Sequence, residues 1–175
     1  MKLATRHSRE KTAGFSLVEL LVVIVIIGIL AMIIVPQLST STDEAKLSTL
    51  QSDLSAMRSA VEVYRAQHNA YPAEVMPTNP PAGVSSLADA FVAQMTRYTD
   101  AGGRISNTKD ATFKYGPYLK GNNLPMNPFN DKEDVTIDAS EADITVRNSS
   151  GAGTAWKFYA KTGVFMSADG AHDSL

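Results

Sequence analysis

"AGFSLVELLVVIVIIGILAMIIVPQL", residues 13–38, is the stretch on which the architecture of this chain turns. The 21 residues from Phe15 to Val35 contain one charged side chain, Glu19. As a helix rising about 1.5 Å per residue they span roughly 31 Å, the thickness of a bilayer's hydrocarbon core. Leu20 to Val35 is Leu, Ile, Val, Ala and Met broken only by Gly28, and no charge returns until Asp43. The stretch reads as a membrane segment. A buried core helix would need more chain than this to cover it on all sides. A cleaved secretory signal shares the basic start, but its apolar run is usually shorter and ends at small residues, whereas this run ends at Val35-Pro36. Glu19 is the anomaly, because a carboxylate inside a bilayer helix costs about 2–3 kcal/mol or more. A chain that keeps one should be using it.

Outward from that run, the 175 residues have room for one small domain beside the extended element. With no cysteine, the chain has no disulfide framework, thiolate metal site or cysteine nucleophile. The net charge of −2 conceals an asymmetry. Residues 1–14 carry Lys2, Arg6, Arg9 and Lys11 against Glu10, a local +3, and the remainder carries −5. A basic head before an apolar run places the N-terminus in the cytoplasm and the body on the far side. No basic cluster marks the body, so nucleic acid is not an expected partner.

The residues before the run carry a resemblance. Gly14-Phe15-Ser16-Leu17-Val18-Glu19 resembles the type III signal of type IV pilins and of the pseudopilins of type II secretion. In that family an aspartic prepilin peptidase cuts after the glycine and methylates the new terminal phenylalanine. The resemblance therefore implies a leader of residues 1–14, with Gly14 its last residue, Phe15 the mature N-methylated terminus and Glu19 the fifth mature residue. Pro36 falls where the family has its helix proline. Glu19 lies one helical turn from the Phe15 amine. Between packed identical helices it can meet the terminal ammonium of a neighbour, so that two costly charges become one pair that penalises every wrong stagger. The other reading has Glu19 snorkel to the headgroups.

Past the membrane the helix continues to about His68. Leu47, Leu50, Leu54, Met57, Val61 and Tyr64 recur at spacings of three and four, with Asp43, Lys46, Asp53, Arg58 and Glu62 largely off the seam. A first half apolar all round (15–36) meets lipid or other subunits; an amphipathic second half (37–70) covers its own head. Gly28 and Pro36 weaken the helix between them. "HNAYPAEVMPTNPPAG" ends it. In the head (71–175), "SSLADAFVAQMTRYTDAGG" reads as a short helix capped by Ser86 and Asp89, with Leu87, Phe91, Met95 and Tyr98 on one face and Gly102 or Gly103 as its stop. "DVTID", "DITVR" and "AWKFYAKTGVFM" read as three short antiparallel strands burying Trp156, Phe158, Val164 and Phe165 against the Leu47–Tyr64 stripe. The expected fold is α+β, a pilin-like ladle.

"GPYL" followed by "LPMNPFND" resembles the loop of major pseudopilins, Phe129 and Asn130 included. Those proteins continue into a Gly- and Asp-rich loop that binds calcium, whereas this chain offers "FMSADGAHDSL". Ser167, Asp169 and Asp173 could supply oxygen ligands of the kind calcium prefers; a solvated polar tail is the other reading, and the same holds for Asp131, Glu133 and Asp134. His7, His68 and His172 form no metal or triad spacing, and no P-loop, GxSxG or HExxH occurs. "NSS" at 148–150 fits a glycosylation acceptor or a turn. The expectation is a structural subunit without cofactor, not an enzyme. It is a single-pass inner-membrane protein with its head periplasmic or extracellular, and its partners are copies of itself, prepilin peptidase, the assembly platform and membrane lipid. A type II secretion pseudopilin leads a surface pilin for adhesion, motility or DNA uptake, and the runner-up of another class is an anchored binding module that never polymerises.

Overall fold

A computed structural model describes residues 14–148 and 153–175, with the side chains of 33–41 outside the described set. The presumed leader up to residue 13, the Pro36 side chain and the Ser149-Ser150 pair of the "NSS" motif therefore lie outside the described residues. The chain divides into two compact units, Met1–Asp43 and Glu44–Leu175. Helix α1, Leu17–His68, contributes to both and runs unbroken through residues 28 and 36.

In the first unit every described side chain from Phe15 to Met32 is exposed, and apart from Glu19 the helix residues from Leu17 to Met32 are apolar or glycine. Among the described residues no helix is long and apolar enough to cross a membrane. In the second unit the predicted seam is buried: Leu50, Leu54, Met57, Val61 and Tyr64 are each at most 2% exposed, while Leu47, at the entry to the seam, is half-buried. The helix ends at Asn69, whose N–H still donates to the Arg65 carbonyl at 2.8 Å and whose left-handed φ of 54° turns the chain out of the helix. Asparagine is the usual alternative to glycine at such a stop.

Helix α2, Leu87–Thr96, opens on the predicted capping box: the Ser86 hydroxyl takes the Asp89 N–H, and the Asp89 carboxylate takes the Ser86 N–H. Its end differs from the expectation. Arg97 is extended, and the chain enters a hairpin of β1, Tyr98–Thr99, and β2, Ile105–Ser106, so Tyr98 belongs to a strand and the two glycines to the hairpin's turn. Gly103 is required there: its φ is +75°, and a Cβ would stand 2.8 Å from the Tyr64 hydroxyl.

The remaining sheet is mixed, in the order β3 (Val135–Asp138), β4 (Trp156–Tyr159), β5 (Val164–Ser167), which corrects the all-antiparallel reading. β4 runs parallel to β3, with Ile137 opposite Phe158, and antiparallel to β5, with Phe158 opposite Phe165. "DITVR" is a loop, not a strand. Asp143 Oδ1 takes both the N–H and the hydroxyl of Thr145, a local turn that competes with any ladder, and Ile144 is exposed. That loop is what allows the chain to return in the same direction, since a parallel pair needs a long crossover. Trp156, Phe158 and Phe165 join the α1 seam, Phe91 and Met95 in one core. Val164, at the start of β5, is only half-buried, while the three residues that follow it are buried.

Candidate functional site

The candidate site is the start of α1. Gly14 lies in irregular, exposed backbone, and a Cβ built on it would meet nothing within 4 Å. Phe15 follows, 82% exposed, and the helix begins two residues later. Ser16 and Glu19 form a reciprocal pair: Ser16 N–H donates to Glu19 Oε2 at 3.1 Å, and Glu19 N–H donates to Ser16 Oγ at 3.4 Å. This is an S-x-x-E capping box, which satisfies two donors that a helix start otherwise leaves unpaired. Sequence reasoning assigned Glu19 to a neighbour and missed this local role, although the spacing of Ser16 and Glu19 carried the signal. The geometry holds the carboxylate at the positive end of the helix dipole, against the amide one residue beyond Phe15. There it can cap its own helix or face a cation brought by another chain. Gly28 is exposed, and a Cβ there would also meet nothing, so packing within this chain does not require the glycine.

The far end of α1 holds a polar hub that the sequence did not disclose. His68 Nε2 lies 2.9 Å from the Tyr118 hydroxyl and 3.0 Å from Thr99 Oγ1, and Tyr118 donates in turn to Gln67 at 2.8 Å. The imidazole lies tilted against the Tyr64 ring, with the ring centres 4.0 Å apart. Burial pushes the pKa of His68 below its ordinary value. The hub ties the helix end to β1 and to the "GPYL" loop, whose Tyr118 and Leu119 N–H groups both donate to the Met95 carbonyl. Its residues were visible individually, but only the fold joins positions this far apart in sequence.

The tail residues expected to offer calcium ligands are not arranged as one open site. Ser167 is buried at the end of β5, and its Oγ accepts from Asn127 Nδ2 at 3.0 Å. Asp169 is turned inward onto backbone N–H groups and His172, and Asp173 Oδ1 takes the Gly170 N–H at 3.0 Å. Among the described residues no group of three or more His, Asp or Glu side chains could hold a metal ion. The acidic loop is likewise committed. Asp134 Oδ1 takes the Ala155 N–H at 2.9 Å, and Glu133 accepts from Asn123 at 2.8 Å.

Gly14 and Phe15 thus stand exposed immediately before a capped apolar helix. Residues 9–35 match the prokaryotic N-terminal methylation motif. The chain is similar to type II secretion system core protein G of Pseudomonas aeruginosa, 41% identical over 64 residues, covering 37% of this chain and 45% of that one. It is similar also to core protein G of Klebsiella michiganensis, 42% identical with the same coverage. The Escherichia coli protein of that name is 37% identical over 84 residues, 48% of this chain and 54% of that one. The matches span about half the length of these relatives. No solved structure matches. The resemblance to the type IV pilin and pseudopilin family read from residues 14–19 is thus supported on sequence similarity as well as on its motif.

Proposed function

We propose that this chain is a structural, non-enzymatic subunit of a type IV pilus-like filament, a pseudopilin of type II protein secretion. The observation that carries the proposal is the register of Gly14, Phe15 and Glu19 at the exposed, capped start of an apolar helix, within the matched methylation motif. Prepilin peptidase removes the leader after Gly14 and methylates Phe15. Residues 15–36 hold the precursor in the inner membrane with the head on the periplasmic side, and an assembly platform then draws subunits into the filament. The exposed aliphatic surface of residues 17–32 supports this: apolar surface on that scale has to be covered by lipid or by other copies. Pairing Glu19 with a neighbour's Phe15 ammonium sets the axial register. The relatives' name favours a pseudopilin over a surface pilin, and no cofactor is needed for either role.

Mass spectrometry of the N-terminal peptide, from membranes and from sheared surface material, tests the proposal. A peptide beginning at Phe15 with one added methyl and confined to the envelope is the expected outcome. The same peptide enriched in the sheared fraction would indicate a surface pilin. An N-terminus at Met1 in functional protein would overturn the reading.

A further inference from the structure

The resemblance to major pseudopilins implies a calcium ion in the C-terminal loop, and the chemistry of this tail does not fit one. The Asp169 carboxylate is 3% exposed. Its Oδ1 accepts the N–H groups of Ala171 at 2.9 Å and His172 at 2.8 Å, and its Oδ2 faces His172 Nδ1 at 3.0 Å. Two residues earlier in the chain, the Ser167 hydroxyl accepts from Asn127 Nδ2 at 3.0 Å. A carboxylate has about four lone-pair sites, and here three donors already address them. A calcium ion seeks about six to eight oxygens at 2.3–2.6 Å, and it would have to displace these donors from a buried group.

The fourth side chain of this arrangement is His172. Its partner is an acceptor-only carboxylate, so Nδ1 carries the proton that is donated. The ring lies stacked on Phe129 at 3.9 Å and 28°. Phe129 is itself fixed by its N–H to Asn127 Oδ1 at 2.9 Å, and the Lys46 ammonium of α1 stands 5.9 Å from the Phe129 ring centroid. A run of contacts therefore leads from Asp169 through His172 and Phe129 to Asn127, and on to Ser167 at the end of β5.

We infer that His172 stands in for a divalent cation in this chain: its Nδ1–H and stacked ring clasp the tail to the loop at Asn127–Phe129, so that the head closes without calcium. The clasp holds whether or not the chain polymerises.

Amide hydrogen exchange of the full chain in detergent micelles tests the inference, in EGTA and in millimolar calcium. The Ala171 and His172 amides should exchange at the same protected rate in both. His172→Ala should accelerate them by about ten-fold or more in both, the loss expected of a hydrogen bond to a charged group. Protection that appears in the wild-type chain only with calcium would overturn the inference, and so would wild-type protection persisting in His172→Ala. Should that variant fail to fold, the imidazole nitrogen shifts of the wild-type chain in EGTA decide. A proton resident on Nδ1 supports the clasp, and an unprotonated Nδ1 overturns it.

Discussion

At the scale of single residues, Glu19 has two separable duties. Its carbonyl-type oxygen caps the helix by taking the Ser16 N–H, and its charge is available to a partner. Glutamine keeps the first and loses the second, while alanine loses both. Glu19→Gln should therefore leave the helix start and membrane insertion intact and abolish filament assembly. Glu19→Ala should do the same and also fray the first turn, by an amount on the order of 1 kcal/mol. Filament yield after shearing and the exchange rates of the first-turn amides measure the two separately. Normal filament yield from Glu19→Gln would leave the residue a cap and nothing more. The register of Gly14, Phe15 and Glu19 was legible in the sequence because it is purely local. The partner of Asp169 was not, since "ADGAHD" offers two aspartates to one histidine and only the burial of Asp169 chooses between them.

At the scale of elements, the β1–β2 hairpin depends on one carboxylate. Asp100 takes the N–H groups of Gly102 and Arg104 on Oδ1 at 3.0 and 2.8 Å, and the Arg104 guanidinium on Oδ2 at 2.6 Å. Burial alone would raise its pKa, but the hydrogen bonds and charge of Arg104 with the Gly102 N–H outweigh this and hold it below its ordinary 3.8. A folded-state pKa below the unfolded one stabilises the hairpin above the ordinary value, and that stabilisation is lost as pH falls through the folded one. Urea stability of the wild-type chain should therefore decline more steeply below about pH 5 than that of Asp100→Asn. Parallel declines would mean that Asp100 contributes no pH-dependent stability. This hairpin was misread as the last turn of α2. Tyr98 continues the helical period of Leu87, Phe91 and Met95 with no sequence break, and it leaves the helix because Thr99 pairs with Tyr115, a contact made outside the segment.

At the scale of the whole molecule, the head is organised on the α1 seam and one aromatic cluster. Phe158 is fully buried, 4.8 Å from Phe91 and 6.3 Å from both Phe165 and Tyr71, ring centre to ring centre. Phe158→Ala should lower the head's unfolding free energy by about 3–5 kcal/mol, as a lower urea midpoint at unchanged slope. A shift of less than about 1 kcal/mol would show that the cluster relaxes into the cavity. The seam of Leu50, Leu54, Met57, Val61 and Tyr64, the Ser86 capping box, the stop beyond His68 and the apolar character of residues 15–32 were determined by the sequence alone. Each rests on spacings within a few residues, where helix geometry leaves few alternatives. The mixed sheet, the His68 hub and the seating of His172 on Phe129 were decided only by the tertiary structure. Strand direction depends on where the chain can return, and hydrogen-bond partners far apart in sequence are selected by which polar groups burial forces together. Neither leaves a period in the sequence.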